Sequence, residues 1–191
     1  MIPSLDSFVR WLADTRWSIA LHESRYMYLL VESVHVLTLT AFVGLSAMLD
    51  LRLMGLTMRE VPVSQITRRI VPWMAVGFAV MVASGLLLFY AIPVRSYHSV
   101  WFRFKMVMML FAGLNALIFH EKVHRRVAQW DLDLVPPRAA RIAGAASLVL
   151  WVLIIFSGRF IAYNWFDCDK PQSATVKMLA GCTEASAQDS P

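Results

Sequence analysis

The chain has 191 residues, of which 58% are hydrophobic and 16% charged, against about 45–50% and about 25% in ordinary soluble domains. Four long apolar blocks in so short a chain leave too little polar surface to cover a soluble helical core, which excludes a water-soluble globular enzyme. The net charge of +5 comes from basic residues flanking apolar blocks rather than from a patch on a soluble fold, so it points to a lipid surface and not to nucleic acid.

Residues Ser4–Leu21 predict one amphipathic helix. Leu5, Phe8, Trp11, Leu12 and Ile19 share a face, and Asp6, Arg10 and Asp14 oppose it. Trp at positions 11 and 17 suits a membrane interface, so residues 1–22 are expected to lie on the membrane surface. Acids at Asp6 and Asp14 and the lack of a continuous apolar stretch do not read as a signal peptide, so the first span is expected to serve as its own insertion signal.

The apolar blocks predict four spans at about 26–50, 70–92, 101–121 and 139–163, each near the roughly 20 residues that a bilayer requires. Ile70–Val94 has no charged residue over 25 positions. Pro72 falls in the first turn of the second span, Pro93 ends it, and Pro136-Pro137 precede the fourth, where proline is acceptable. The expected fold is all-α: an integral membrane four-helix bundle, antiparallel, with an N-terminal interfacial amphipathic helix over residues 1–22 and a four-span domain over residues 23–165.

The connections at residues 51–69 and 121–141 carry nine of the 18 Lys and Arg. Positive loops remain in the cytoplasm, which puts both termini outside a bacterial inner membrane. The outer tail, residues 166–191, holds Cys168 and Cys182. Their spacing and the absence of a nearby tail histidine favour a structural disulfide over a ligand pair; such a loop of about 15 residues is worth about 3 kcal/mol.

Ionisable residues inside spans are costly and usually face the bundle interior. Glu32 and His35 lie one helical turn apart in the first span. At 1.5 Å per residue they fall in the outer half of the bilayer, at the level of Lys105 in span three and Arg159 in span four. Two readings stand. In one, Glu32 pairs with Lys105 or Arg159 and His35 hydrogen-bonds within the bundle, as structural glue. In the other, His35 is an axial ligand and the cations meet the propionates of a haem.

His120 and His124 share a helix face at the far end of span three, a ligand-like spacing, but Arg125 and Arg126 follow directly and favour a solvated basic helix end. His35 and His120 differ by roughly 20 Å in depth and should not ligate one haem. A second haem at His120 is left open, as is His98 as a partner of His35 if its loop folds inward. Met106, Met108 and Met109 suit copper, although methionines in a span more often fill space.

Two segments resemble known families. ESVHVLTLTAFVGLSAMLDLRLMGL (Glu32–Leu56) is similar to the first span of the HemJ-type protoporphyrinogen oxidases and of the CopD copper-resistance membrane domain, with His35, Phe42-Val43-Gly44 and Arg52 at the matching positions. WFRFKMVMMLFAGLNALIFH (Trp101–His120) resembles their third span through Trp101 and Lys105. The chain also resembles a bacterial four-span family with no assigned function, through ASGLLLF (Ala83–Phe89), GLNALIFH (Gly113–His120) and SGRFIAY (Ser157–Tyr163). The first resemblance implies haem b at His35 with Lys105 nearby. Glu32, the N-terminal segment and the Cys-bearing tail depart from its pattern.

The functional expectation is therefore a b-type haem-binding membrane protein with an electron-transfer or quinone-linked role. His35 would be the axial ligand, Lys105 and Arg159 would contact propionates or a quinone head group, and Glu32 would orient or relay protons. The expected partners are the lipid bilayer and a quinone or redox protein, with oligomer formation open. The alternatives are a copper-handling or small-solute component, using His35 and the span-three Met residues, and a non-catalytic membrane subunit; the candidate metal ligands are His35 and His120. The residues do not decide whether the chain is an enzyme.

Overall fold

The computed structural model describes residues 3–163 and 173–180. Cys168 and Cys182, and with them the expected disulfide, lie outside the described residues. All regular structure among the described residues is helical: α1 Pro3–Ala13, α2 Arg16–Glu23, α3 Met27–Leu53, α4 Val63–Ala91, α5 Pro93–His98, α6 Val100–Ile118, α7 Arg138–Tyr163 and α8 Ala174–Ala180. A π-helical turn (Phe119–Val123) and a 3-10 turn (His124–Gln129) extend α6. Four helices are long and apolar enough to cross a membrane: Met27–Leu53, Val63–Ala91, Val100–Val123 and Arg138–Tyr163. The chain is therefore read as a multi-pass membrane protein built on a four-helix bundle.

Local chemistry sets the helix ends, and it moves some of the expected boundaries. The single amphipathic helix expected over Ser4–Leu21 is two helices. The chain breaks at Asp14-Thr15 because Thr15 is extended (φ −70°, ψ 139°) and its hydroxyl accepts from the Ser18 amide, starting α2. Helix α4 begins at Val63, seven residues before the expected span. Asp131, far away in sequence, accepts from the Ser64 amide at 2.8 Å and from the Ser64 hydroxyl at 2.5 Å, and so caps that start. Pro72 consequently lies inside α4, not in its first turn. Helix α3 closes in a Schellman motif: the Gly55 amide bonds the Arg52 carbonyl and the Leu56 amide bonds the Leu51 carbonyl, both at 3.0 Å. Gly55 has φ +73°, which a residue without Cβ adopts freely.

Helix α3 packs along α4 and α7, and α7 packs along α6. Helices α4 and α6 share no such seam, so the bundle is open along one side. The Phe89 and Phe102 rings bridge that side at one end, stacked with centroids 5.5 Å apart. Helix α6 contributes no fully buried side chain. Its Leu110 is 71% exposed, as is Trp73 on α4, a lipid-facing surface for a span.

The two ends of the bundle differ. At the basic end, where α3 and α6 finish and α4 and α7 begin, Leu53, Val63, Val123, Trp130 and Ala140 form a buried core. The Arg52 guanidinium is fully buried there, donating to the Val61 carbonyl (2.9 Å) and the Asp133 carbonyl (3.3 Å), and it ties the two connecting loops together. The opposite end is capped by α1, α2, α5 and α8. The Ser18 hydroxyl donates to the Tyr90 carbonyl at 2.8 Å and Thr15 shares a 2.7 Å hydrogen bond with the Tyr90 hydroxyl, which fastens α2 to the end of α4. Leu5, Phe8, Trp11, Trp17 and Ile19 stay exposed, an apolar face free to rest on lipid.

Candidate functional site

Glu32, His35, Phe42, Ser46 and Asp50 follow one another at helical spacing along one face of α3. His35 faces α4. Its Nδ1 lies 2.9 Å from Ser84 Oγ. The Ser84 hydroxyl already donates to the Val80 carbonyl at 2.7 Å, so its oxygen accepts and the imidazole Nδ1 carries the proton. The Met81 carbonyl is a second hydrogen-bond partner of the ring; with the proton on Nδ1, Nε2 carries the lone pair. Gly85 is what lets the ring approach: a Cβ there would lie 3.2 Å from His35 Cε1.

Lys105, in the second turn of α6, reaches across to α7. Its Nζ lies 3.7 Å from the position a Cβ on Gly158 would take, ordinary contact distance from that stretch of α7. The ammonium is close enough for its charge to act on the His35 ring. It makes no hydrogen bond or ion pair with a described residue. An imidazole and an unpaired ammonium thus lie close enough for their charges to interact. The pair offers a lone pair to a metal or a proton and a cation to an anionic group.

The other expected site residues are placed differently. Glu32 is half-buried one turn from His35 and makes no ion pair with Lys105 or Arg159. It shares its surroundings with Tyr28 and Arg95 of α5. Arg159 is exposed, with its guanidinium over the Tyr163 ring and bonded to the Tyr163 hydroxyl. The inward positions of that stretch of α7 are Ile154 and Ser157, and Arg159 follows Ser157 by two residues, which turns it away from the bundle. His120 is exposed in the π-helical turn. It lies 15 residues beyond Lys105, about 22 Å along the helix at 1.5 Å per residue. His98 is buried in α5 and committed elsewhere: Nδ1 lies 3.0 Å from the Ala180 carbonyl and Nε2 3.4 Å from Asp6 Oδ1, which joins α8 and α1 to the bundle end. Met106 is 48% exposed.

A second polar cluster was not anticipated. Asp50 is buried, accepts from the Ser46 hydroxyl at 3.3 Å and is bonded by the Ser147 hydroxyl of α7. An aromatic layer separates it from His35: the Phe42 ring meets Trp151 edge-on at 4.9 Å and lies 6.0 Å from Phe78. The helical spacing from His35 through Phe42 and Ser46 to Asp50 was the available signal. It was missed because Asp50 stands at the end of its apolar block, where a carboxylate reads as a solvated terminus. Among the described residues, no three His, Cys, Asp or Glu come together as a metal-binding group.

A model of DUF6644, a family of unknown function, matches residues 22–164. The chain belongs to that family. The DUF6644 region takes in all four spans, with His35, Ser84, Lys105 and Gly158, whereas α1 and α8 lie outside it. No match was found among curated proteins or solved structures.

Proposed function

We propose that this DUF6644 protein is a b-type haem-binding protein of the bacterial cytoplasmic membrane, with both termini outside, engaged in electron transfer or quinone-linked redox chemistry. One observation carries the reading: an imidazole held at Nδ1 by Ser84, in the tautomer that leaves the Nε2 lone pair available to a ligand, beside the unpaired Lys105. Histidines that ligate metals characteristically donate their other ring N–H to an outer partner, which sets the tautomer and ring direction. Ser84 supplies that partner. A porphyrin brings four nitrogens of its own and requires only an axial ligand from the chain, which a lone histidine can satisfy. A copper ion would need several protein ligands, and no observation favours that alternative.

In this reading His35 would hold the haem iron, Ser84 orients the ring, and Lys105 would neutralise a propionate. Bound haem would supply a one-electron couple. The opening between α4 and α6 supports lateral entry of a flat apolar group from the membrane. What the resemblance to HemJ-type spans implies falls on the same two residues, His35 and Lys105. Arg159, turned onto Tyr163, and Glu32, beside Tyr28 and Arg95, are assigned no part in this reading.

The test is optical. The purified full chain, as isolated or after haemin addition, is expected to show a Soret band that His35→Ala abolishes. Ser84→Ala is expected to weaken haem binding by about 10–100-fold, as loss of an outer partner does. A sample that folds and takes up no haem, or a Soret band unchanged in His35→Ala, refutes the proposal.

A further inference from the structure

At the basic end of the bundle, away from His35, lies a cavity of about 280 Å³ lined by Ser64, Thr67, Arg68, Val71, Pro72 and Val127. Its polar residues come from the first turns of α4. Val71 and Pro72 come from further into the span, and Val127 from the 3-10 turn after α6. The lining is thus polar toward the membrane surface and apolar toward the bilayer.

The hydrogen-bond inventory says what would fit. The Ser64 hydroxyl donates to Asp131 and the Thr67 hydroxyl donates to the Val63 carbonyl at 2.8 Å. Both oxygens therefore retain accepting capacity only. Pro72 has no N–H, so the Arg68 carbonyl loses its usual helical donor and is a further acceptor. Arg68 is exposed and makes no hydrogen bond or ion pair with a described residue, so its guanidinium is the free donor at this site. A matching ligand has an anionic group for Arg68, hydroxyl donors for the acceptors, and hydrocarbon to lie along Val71 and Pro72.

We infer that this cavity binds an anionic phospholipid with a hydroxyl-bearing headgroup, of the phosphatidylglycerol type, through Arg68. Charge complementarity favours it over a zwitterionic lipid. The connections at this end carry nine of the chain's 18 Lys and Arg, and clustered basic residues beside spans attract anionic headgroups. A choline headgroup would bring a further cation toward Arg68 and Arg69 and has no hydroxyl hydrogen to donate. The site is independent of the haem reading.

The experiment uses the delipidated full chain in detergent and native mass spectrometry. Phosphatidylglycerol, phosphatidylcholine and soluble glycerol phosphate are added separately. One phosphatidylglycerol is expected to be retained in preference to phosphatidylcholine. Arg68→Gln is expected to weaken it about fivefold, the effect of one basic group near a charged membrane surface. Arg25→Gln, an exposed arginine at the opposite end, should not. Circular dichroism without lipid should be the same for wild type and Arg68→Gln, since Arg68 supports no described contact. Equal retention of phosphatidylcholine, or unchanged binding in Arg68→Gln, overturns the inference. Displacement of the lipid by equal concentrations of glycerol phosphate also overturns it, in favour of a simple phosphate site.

Discussion

Gly144 marks a close approach of α7 to α3, and replacing it tests the packing directly. A Cβ at Gly144 would lie 2.8 Å from the Asp50 carbonyl oxygen, 3.2 Å from Leu53 Cβ and 3.4 Å from Met54 Cγ. The first contact is helix backbone, which cannot swing aside as a side chain can. Gly144→Ala therefore has to push α3 and α7 apart by several tenths of an ångström. That shift would loosen the hydrogen bond between Ser147 and Asp50 and the packing of Leu53 in the basic-end core. Overpacking of this kind costs about 1–3 kcal/mol. Against it stands the gain of about 0.5–1 kcal/mol from replacing a helical glycine with alanine. The expected result is a net loss of about 1 kcal/mol. Gly113→Ala on α6 is the control, because a Cβ there meets nothing within 4 Å; it should be neutral or slightly stabilising. The assay is reversible unfolding of the full chain in mixed micelles, followed by helical circular dichroism. If Gly144→Ala is as stable as Gly113→Ala, the close α3–α7 contact does not carry the stability assigned to it.

Three further outcomes follow from other contacts. Gly85→Ala should displace the His35 ring, since its Cβ would stand 3.2 Å from Cε1; a shifted or weakened Soret band with unchanged helix content is expected. Arg52→Met removes a fully buried guanidinium bonded to two loop carbonyls; with about 1.5–3 kcal/mol for each charge-assisted bond, the same unfolding titration should show a loss of at least about 2 kcal/mol. Tyr90→Phe deletes the 2.7 Å hydrogen bond to Thr15, worth about 1 kcal/mol; it should speed limited proteolysis between α1 and α2 while leaving the spans intact.

Much of the architecture was legible without coordinates. Uninterrupted apolar blocks, prolines at their borders and basic connections specified four spans, because a bilayer imposes length and polarity on any helix that crosses it. The cost of an ionisable group in a span drew attention to His35 and Lys105 for the same reason. Helix starts were less legible. The beginning of α4 depends on Asp131, 67 residues from Ser64, and no local pattern reports a cap supplied from another loop. The break between α1 and α2 was readable from Thr15 and was obscured by a continuous apolar face.

Partnerships between helices lay beyond the sequence. Depth arithmetic put Glu32, His35, Lys105 and Arg159 at one level, but level is not direction. Rotation of α7 turns Arg159 outward onto Tyr163 and brings Gly158 to Lys105. The pairing of His35 with Ser84, the open flank between α4 and α6, and the commitment of His98 to Asp6 and Ala180 likewise depend on which faces meet. By itself the sequence determined that four helices are long and apolar enough to cross a membrane and that His35 lies within one of them, since transfer energies act on each segment alone. Only the tertiary structure decided that the His35 ring meets Ser84 and the Met81 carbonyl, because those partners stand on another helix whose facing side no local pattern in α3 reports.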